Sequence, residues 1–187
     1  MEAFRVYRQY PYYYEEWITL ADGSAVFLRP IKPTDGPLLQ DFFNGLSRET
    51  IYFRFLTHLQ KLRPEMLKQL VEIDYESHFA LAAFITEDTK ESIIGTCRYI
   101  IKGDTNHAEL TVVLGDDWQR KGLGKRMVTR VVNIARSKGI AGIEILLDYR
   151  NEGMKRIFAS LGYPVSYESS ILDIADRMEI LLQEIKI

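Results

Sequence analysis

The sequence predicts a mixed α/β layer with helices on both faces of its sheet, and three observations predict it. Phe79–Ile85 (FALAAFI) is apolar throughout, as in a strand covered on both faces. Two β-rich runs follow, Ile93–Ile101 and Ala108–Leu114, joined by a turn containing Gly103, Asp104 and Asn106, which predicts an antiparallel hairpin. From Gly122 the period becomes helical, with Leu123, Met127, Val131 and Ala135 at steps of four and Val128, Val132 and Ile134 widening the stripe.

The remaining elements follow in chain order. Residues 1–17 hold five of the 11 tyrosines (Tyr7, Tyr10, Tyr12, Tyr13, Tyr14) and end on Trp17. They are expected to form a strap of amphipathic rings over the surface of a single domain at 18–187, or else a partner- or substrate-binding surface. Ala25–Arg29 reads as a first strand stopped by Pro30 and Pro33. Thr34 and Asp35 are candidate N-caps for a helix carrying Leu38, Leu39, Phe42 and Phe43. Ser47–Phe55 and Pro64–Ile73 read as short helices, the second with proline in its first turn. Gly139 ends the long helix and Ile143–Leu147 is a fifth strand. Asn151–Leu161 is a helix ended by Gly162, with one or two strands beyond.

Composition bounds the function. The 187 residues fit one domain, with 24 basic and 26 acidic side chains and a net charge of −2. Nucleic-acid binding is not expected of a chain with so little positive excess. The single cysteine, Cys97, excludes an intramolecular disulfide and a multi-thiolate zinc site, and the expectation is no metal. No apolar run approaches the ~18 residues of a membrane span, and the N-terminus lacks a signal peptide's apolar core. A cytoplasmic protein with no membrane partner is expected.

The chemistry concentrates in residues 108–138. A strand runs into a glycine-containing turn that opens the long helix. Between Gln119 and Lys138 there are seven basic residues (Arg120, Lys121, Lys125, Arg126, Arg130, Arg136, Lys138) and no acid. A helix N-terminus offers unpaired N–H donors and about half a positive charge. Gly122 and Gly124 keep Cβ atoms away from that backbone, so a phosphate or pyrophosphate is the expected ligand. A P-loop is excluded, because only Leu123 separates the glycines and Lys125-Arg126 follows them. The dinucleotide fingerprint fails at Met127.

With these pieces in order, the sequence resembles the GNAT superfamily of acetyl-CoA-dependent N-acetyltransferases. The loop signature Gln/Arg-x-x-Gly-x-Gly/Ala stands here as Gln119-Arg120-Lys121-Gly122-Leu123-Gly124. FLRPIKPTD (27–35) and NEGMKRIFASLGY (151–163) resemble further segments of the family. LRPI, YFRF (52–55), IDY (73–75) and above all AELTVVLGDDW (108–118) are similar to the catalytic domain of bacterial protein-lysine acetyltransferases. The resemblance implies a GNAT-like, mostly antiparallel sheet, splayed between its fourth and fifth strands (108–114 and 143–147). It also implies that pantetheine pairs with the backbone of Val112, Val113 and Leu114. The pyrophosphate would then lie on the turn from Arg120 to Lys125, with Asn151 on the pantetheine and Phe158 against the cofactor.

The resemblance implies attack of an amine on a thioester, with an exposed lysine of a protein as acceptor, an acyl-CoA synthetase among the candidates. A small amine, or a non-catalytic CoA-sensing role, is the alternative. Lysine, with a pKa of about 10.4, needs a base. Glu109 matches the position of the subgroup's general base, and desolvation beside Leu110 is expected to raise its pKa. Val113 or Leu114 N–H would hold the oxyanion. Phe158 stands where the family often has an acidic tyrosine, and Tyr149 is a weak substitute. Asp116 and Asp117 are expected to cap or shape the turn. Glu72, Asp74 and Glu76 read as a solvated helix end, with an acidic lip for a lysine as the alternative. His58, His78 and His107 read as structural, and Cys97 as buried and inert.

Overall fold

The computed structural model describes residues 9–103, 105–169 and 175–182. Its centre is an eight-stranded mixed sheet: β1 (Glu16–Thr19), β2 (Ala25–Pro30), β3 (His78–Glu87), β4 (Lys90–Ile101), β5 (His107–Leu114), β6 (Gly142–Leu147), β7 (Val165–Glu168) and β8 (Asp176–Leu181). The spatial order is β1-β2-β3-β4-β5-β6-β8-β7. Every neighbouring pair is antiparallel except β5 with β6. Between β2 and β3 come α1 (Gly36–Asn44), α2 (Arg48–Phe55) and α3 (Pro64–Val71). Between β5 and β6 comes α4 (Leu123–Ser137), and between β6 and β7 comes α5 (Glu152–Ala159). Among the described residues no helix is long and apolar enough to cross a membrane.

Burial explains the layers. Phe79, Ala80, Leu81, Ala82, Ala83 and Phe84 on β3 are all fully buried, so both faces of this strand are covered. One cover is α4, whose apolar stripe from Leu123 to Ala135 is buried along its whole length. The other is α1–α3, which close a smaller cluster of Phe43, Ile51 and Leu62. Tyr10 and Tyr14 pack onto the main core, while Tyr12, Tyr13 and Trp17 stay exposed. The position 17/18, taken as the edge of the strap, lies inside β1.

The sheet opens between β5 and β6. Only His107, Ala108 and Glu109 pair with β6, opposite Gly142, Ile143 and Glu144. Residues 110–114 continue pairing with β4 and have no partner on β6. Gly95 secures the β4 side at this point, because a Cβ there would come within 2.5 Å of a Leu114 methyl and 3.2 Å of the Val113 carbonyl. The splay expected between the fourth and fifth strands is therefore present. These are β5 and β6, because the short edge strand Glu16–Thr19 adds one at the start.

Candidate active site

The backbone fixes which groups face the opening. Gly115 N–H donates to Ile94 O at 2.9 Å. In an antiparallel ladder the direction alternates, so Val113 is committed to β4, while the main-chain groups of Val112 and Leu114 point toward the splay. The sequence alone does not distinguish Val113 from Leu114. The register separates them and makes Leu114 N–H the donor at the open edge. The Leu114 carbonyl accepts from Gln119 Nε2 at 3.3 Å, and the same amide donates to Thr50 Oγ1 at 3.0 Å. Gln119 thus braces the turn from within.

The turn itself has two left-handed residues, Arg120 (φ 60°) and Gly122 (φ 84°). Gly122 is the residue before α4, and no side chain caps that helix end, so its first amides keep their donors. The two glycines serve different purposes. A Cβ at Gly122 would meet nothing within 4 Å, so glycine is required there by φ. A Cβ at Gly124 would sit 3.3 Å from Leu114 and 3.5 Å from Ile157, so that residue permits close helix–strand packing. Leu123 is buried and anchors the first turn. Lys121 bonds Asp22 of the β1–β2 turn at 3.1 Å and lies over the Trp118 ring. Arg120, Lys125 and Arg126 are exposed and make no ion pair among the described residues, leaving three cations at the helix mouth. Free donors, a positive dipole end and mobile cations beside an unpaired strand edge fit a diphosphate with an extended arm.

Glu109 stands on the last paired rung before the splay, and its side chain is about one-third exposed. It is ion-paired rather than simply flanked by apolar groups: Lys102 Nζ lies 3.1 Å from its Oε2 and also binds Glu144. Burial alone would lower the Lys102 ammonium, but the bonds to Glu144 and Glu109 outweigh it and hold its pKa above the ordinary lysine value. Glu109, Glu144 and Glu179 form a row across β5, β6 and β8. Arg177 reaches Glu144 at 3.7 Å, and His107 meets Glu179 at 2.6 Å, so each acid has a basic neighbour.

Other residues singled out by the sequence take plainer places. Asp116 accepts from Ser47 N, Ser47 Oγ and Thr50 Oγ1 at 2.9, 2.7 and 2.7 Å, fastening the start of α2 to the β5–α4 turn. Burial would raise its carboxyl, but these donors hold it below the usual carboxylate range. Asn151 Oδ1 accepts from Met154 N at 3.2 Å and caps α5. Phe158 is fully buried in the core, and Tyr149 is exposed. Asp74 accepts from Glu76 N and His78 N at 2.9 Å each, shaping the α3–β3 loop, while Glu76 pairs with Lys138 at the far end of α4 from the turn. His58 stacks on Tyr52, and burial pushes the Cys97 thiol up.

One bridge went unread in the sequence. Tyr52 on α2 donates to Asp148 at 3.1 Å, just past the end of β6, and Arg150 grips the same carboxylate at 2.8 and 2.9 Å. Tyr52 lies within the YFRF motif, but nothing in its spacing signals a partner 96 residues away.

Comparison with known proteins agrees with this arrangement. The family model for the acetyltransferase (GNAT) domain matches residues 25–164. The acetyltransferase PA5475 of Pseudomonas aeruginosa is 30% identical over 150 residues, covering 80% of this chain and 81% of that protein. The acetyltransferase Pat of Mycolicibacterium smegmatis is 28% identical over 149 residues, 78% of this chain but only 43% of the relative, so this chain spans less than half its length. Among solved structures, the GNAT domain of S. lividans PAT superposes with a TM-score of 0.82 at 26% identity, covering 92% of this chain and 99% of that one. The fold is shared with yncA of Salmonella typhimurium, solved with its cofactor acetyl-CoA (TM-score 0.67, 17% identity, 88% of this chain and 98% of that one). With the splayed strand, the glycine turn and the family match in agreement, the chain belongs to the GNAT family of acetyl-CoA-dependent acetyltransferases.

Proposed function

We propose that this acetyltransferase modifies a lysine side chain of a protein, by direct attack on the thioester with Glu109 as general base. The observation that carries the reading is the Lys102 ammonium 3.1 Å from Glu109 Oε2. This carboxylate already accommodates a primary alkyl ammonium at hydrogen-bond distance, one rung before the strand edge that would receive the pantetheine. The likeness of AELTVVLGDDW to bacterial protein-lysine acetyltransferases supports the acceptor class, and an acyl-CoA synthetase is a candidate acceptor.

In this reading Gly122, Leu123, Gly124 and Lys125 present main-chain amides to the pyrophosphate, with Arg120, Lys121 and Lys125 adding charge. Val112 and Leu114 offer main-chain groups to the pantetheine arm. Acetyl-CoA supplies an electrophilic thioester carbon. Glu109 accepts a proton from the acceptor ammonium, the freed nitrogen bonds to the carbonyl carbon, and the C–S bond breaks. Leu114 N–H faces the oxygen that becomes negative. The nitrogen gives up its second proton to solvent, and the thiolate leaves and is protonated from solvent, since Phe158 offers none and Tyr149 is turned to solvent.

Purified protein given labelled acetyl-CoA, with protein extract in one arm and free polyamines and amino acids in another, tests the acceptor class. Label on protein lysines, located by mass spectrometry, is expected. Label only on the free amines contradicts it.

A further inference from the structure

The face of the sheet that carries Glu109 also carries two guanidinium groups that make no salt bridge among the described residues. The register pairs Ile100 with Glu109, Arg98 with Thr111 and Thr96 with Val113, so these residues share one face, under α1–α3. Arg98 is 2% exposed. Its Nη1 donates to Leu70 O at 3.0 Å and meets His78 Nε2 at 3.2 Å, yet its buried Nε has no partner. The buried Thr111 hydroxyl beside it has none either. Arg54, reaching down from α2, lies over the Phe55 ring and makes no ion pair or hydrogen bond among the described residues.

Arg54, Arg98, Thr96 and Val113 line one cavity of about 20 Å³, whose remaining walls include Phe42 and Phe55. Such a volume holds a water or a very small polar group. Two like charges in apolar surroundings are unfavourable unless something anionic joins them. Burial, with Arg54 nearby, lowers Arg98 to about 9, and burial outweighs the pull of Glu109 and lowers Arg54 to about 10, so both stay charged at neutral pH. Glu109 offsets part of the Arg54 charge through space, and no described acid offsets that of Arg98. Glu109 and Glu144 are held by Lys102, Glu144 also by Arg177, and Glu179 by His107. The surplus positive charge sits one or two rungs from the base, beside Val113, and a guanidinium fork matches a carboxylate.

We propose that Arg54 and Arg98 form a carboxylate-binding subsite on the acceptor side of the sheet, and that one of the two reactants carries that carboxylate. The proposal rests on the reading that the thioester lies along residues 112–114. The carboxylate comes from the far end of a dicarboxylic acyl group on the donor, or from a position near the amine of the acceptor. Neither source alters the transfer itself, in which N–C forms and C–S breaks.

The site is tested without turnover by titrating ¹³C-formate into the whole protein at fixed ionic strength, following its NMR line. Saturable broadening is expected, weakened at least tenfold in Arg54→Gln. Arg98→Lys keeps the charge and the fold-forming bond to Leu70 but loses the fork, and is expected to weaken binding as well. Formate that does not saturate, or binds both variants as well as the parent, overturns the proposal. Two rate ratios then name the carrier: succinyl-CoA over acetyl-CoA with one acceptor, and lysine over cadaverine with acetyl-CoA. One ratio is expected to exceed tenfold and to fall toward one in Arg54→Gln; if neither ratio moves, no reactant uses the site and the proposal fails. Lost formate binding with intact acetyl transfer removes only this subsite, whereas intact formate binding with no transfer to any amine removes the reading of the reaction.

Discussion

Asp35, an N-cap candidate together with Thr34, is the N-cap residue of α1, but its carboxylate makes no capping bond there. It makes a two-pronged bond with Arg29, at 2.7 and 2.9 Å, and accepts from Lys32 N at 2.7 Å. Both side chains are buried, and the Arg29 guanidinium lies 3.8 Å over the Phe84 ring. Without Asp35 the buried Arg29 keeps only Glu91, at 3.3 Å, as an acid partner, and breaking a buried pair from one side costs up to about 3–5 kcal/mol. Asp35→Asn is therefore expected to lower the thermal midpoint by more than 5 °C, measured by calorimetry, with Lys32→Ala far milder. Local sequence rules see a short acid before a helix and read a cap. They do not see that an arginine six residues earlier points inward from a strand. The proposed base Glu109 stands out in the sequence because a motif surrounds it, but its bond to Lys102 depends on a turn whose path no motif records.

At the scale of elements, α4 was read almost to its ends, because an apolar stripe of four-residue steps can bury itself only as a helix. Its opening turn depends on one backbone angle. Gly122 at φ 84° has open space around its α-carbon, so a Cβ there strains the chain without a clash. An L side chain in this region costs about 1–2 kcal/mol. Gly122→Ala is expected to lower the midpoint by a few degrees and to weaken acetyl-CoA binding severalfold in a calorimetric titration. Unchanged affinity would show that the turn does not contact the cofactor. Two elements escaped the sequence. The four residues of β1 are mostly exposed, so they show no inward–outward alternation. The β3–β4 hairpin turns on Asp88 and Thr89, both with positive φ and neither glycine, which removes the usual turn signal.

At the scale of the molecule, side chains tie α2 to the end of β6 beside the splay. Asp148, buried just past β6, holds Arg150 and receives Tyr52 from α2. The bonds from Arg150 dominate over burial and hold its carboxyl down at about 2. A carboxyl lowered on folding contributes stability above its unfolded value, and that contribution is lost as pH falls through the folded value. Between pH 4 and 2 the unfolding free energy of the parent is expected to drop more steeply than that of Asp148→Asn, measured by urea unfolding; equal slopes would mean the carboxylate plays no such part. Alternating strands and helices made the layer legible, and glycines with clustered cations mark the turn that is proposed to hold the anion. The bridge from α2 to the end of β6 was not legible, because its two ends are 96 residues apart. The reading of the reaction separates two jobs, holding acetyl-CoA by backbone at the turn and moving a proton at Glu109. The most direct test is the single-turnover rate of acetyl transfer by Glu109→Gln beside its calorimetric affinity for acetyl-CoA. The account predicts a rate at least a hundredfold lower near neutral pH with affinity within about twofold; an unaltered rate from pH 6 to 9 would contradict it.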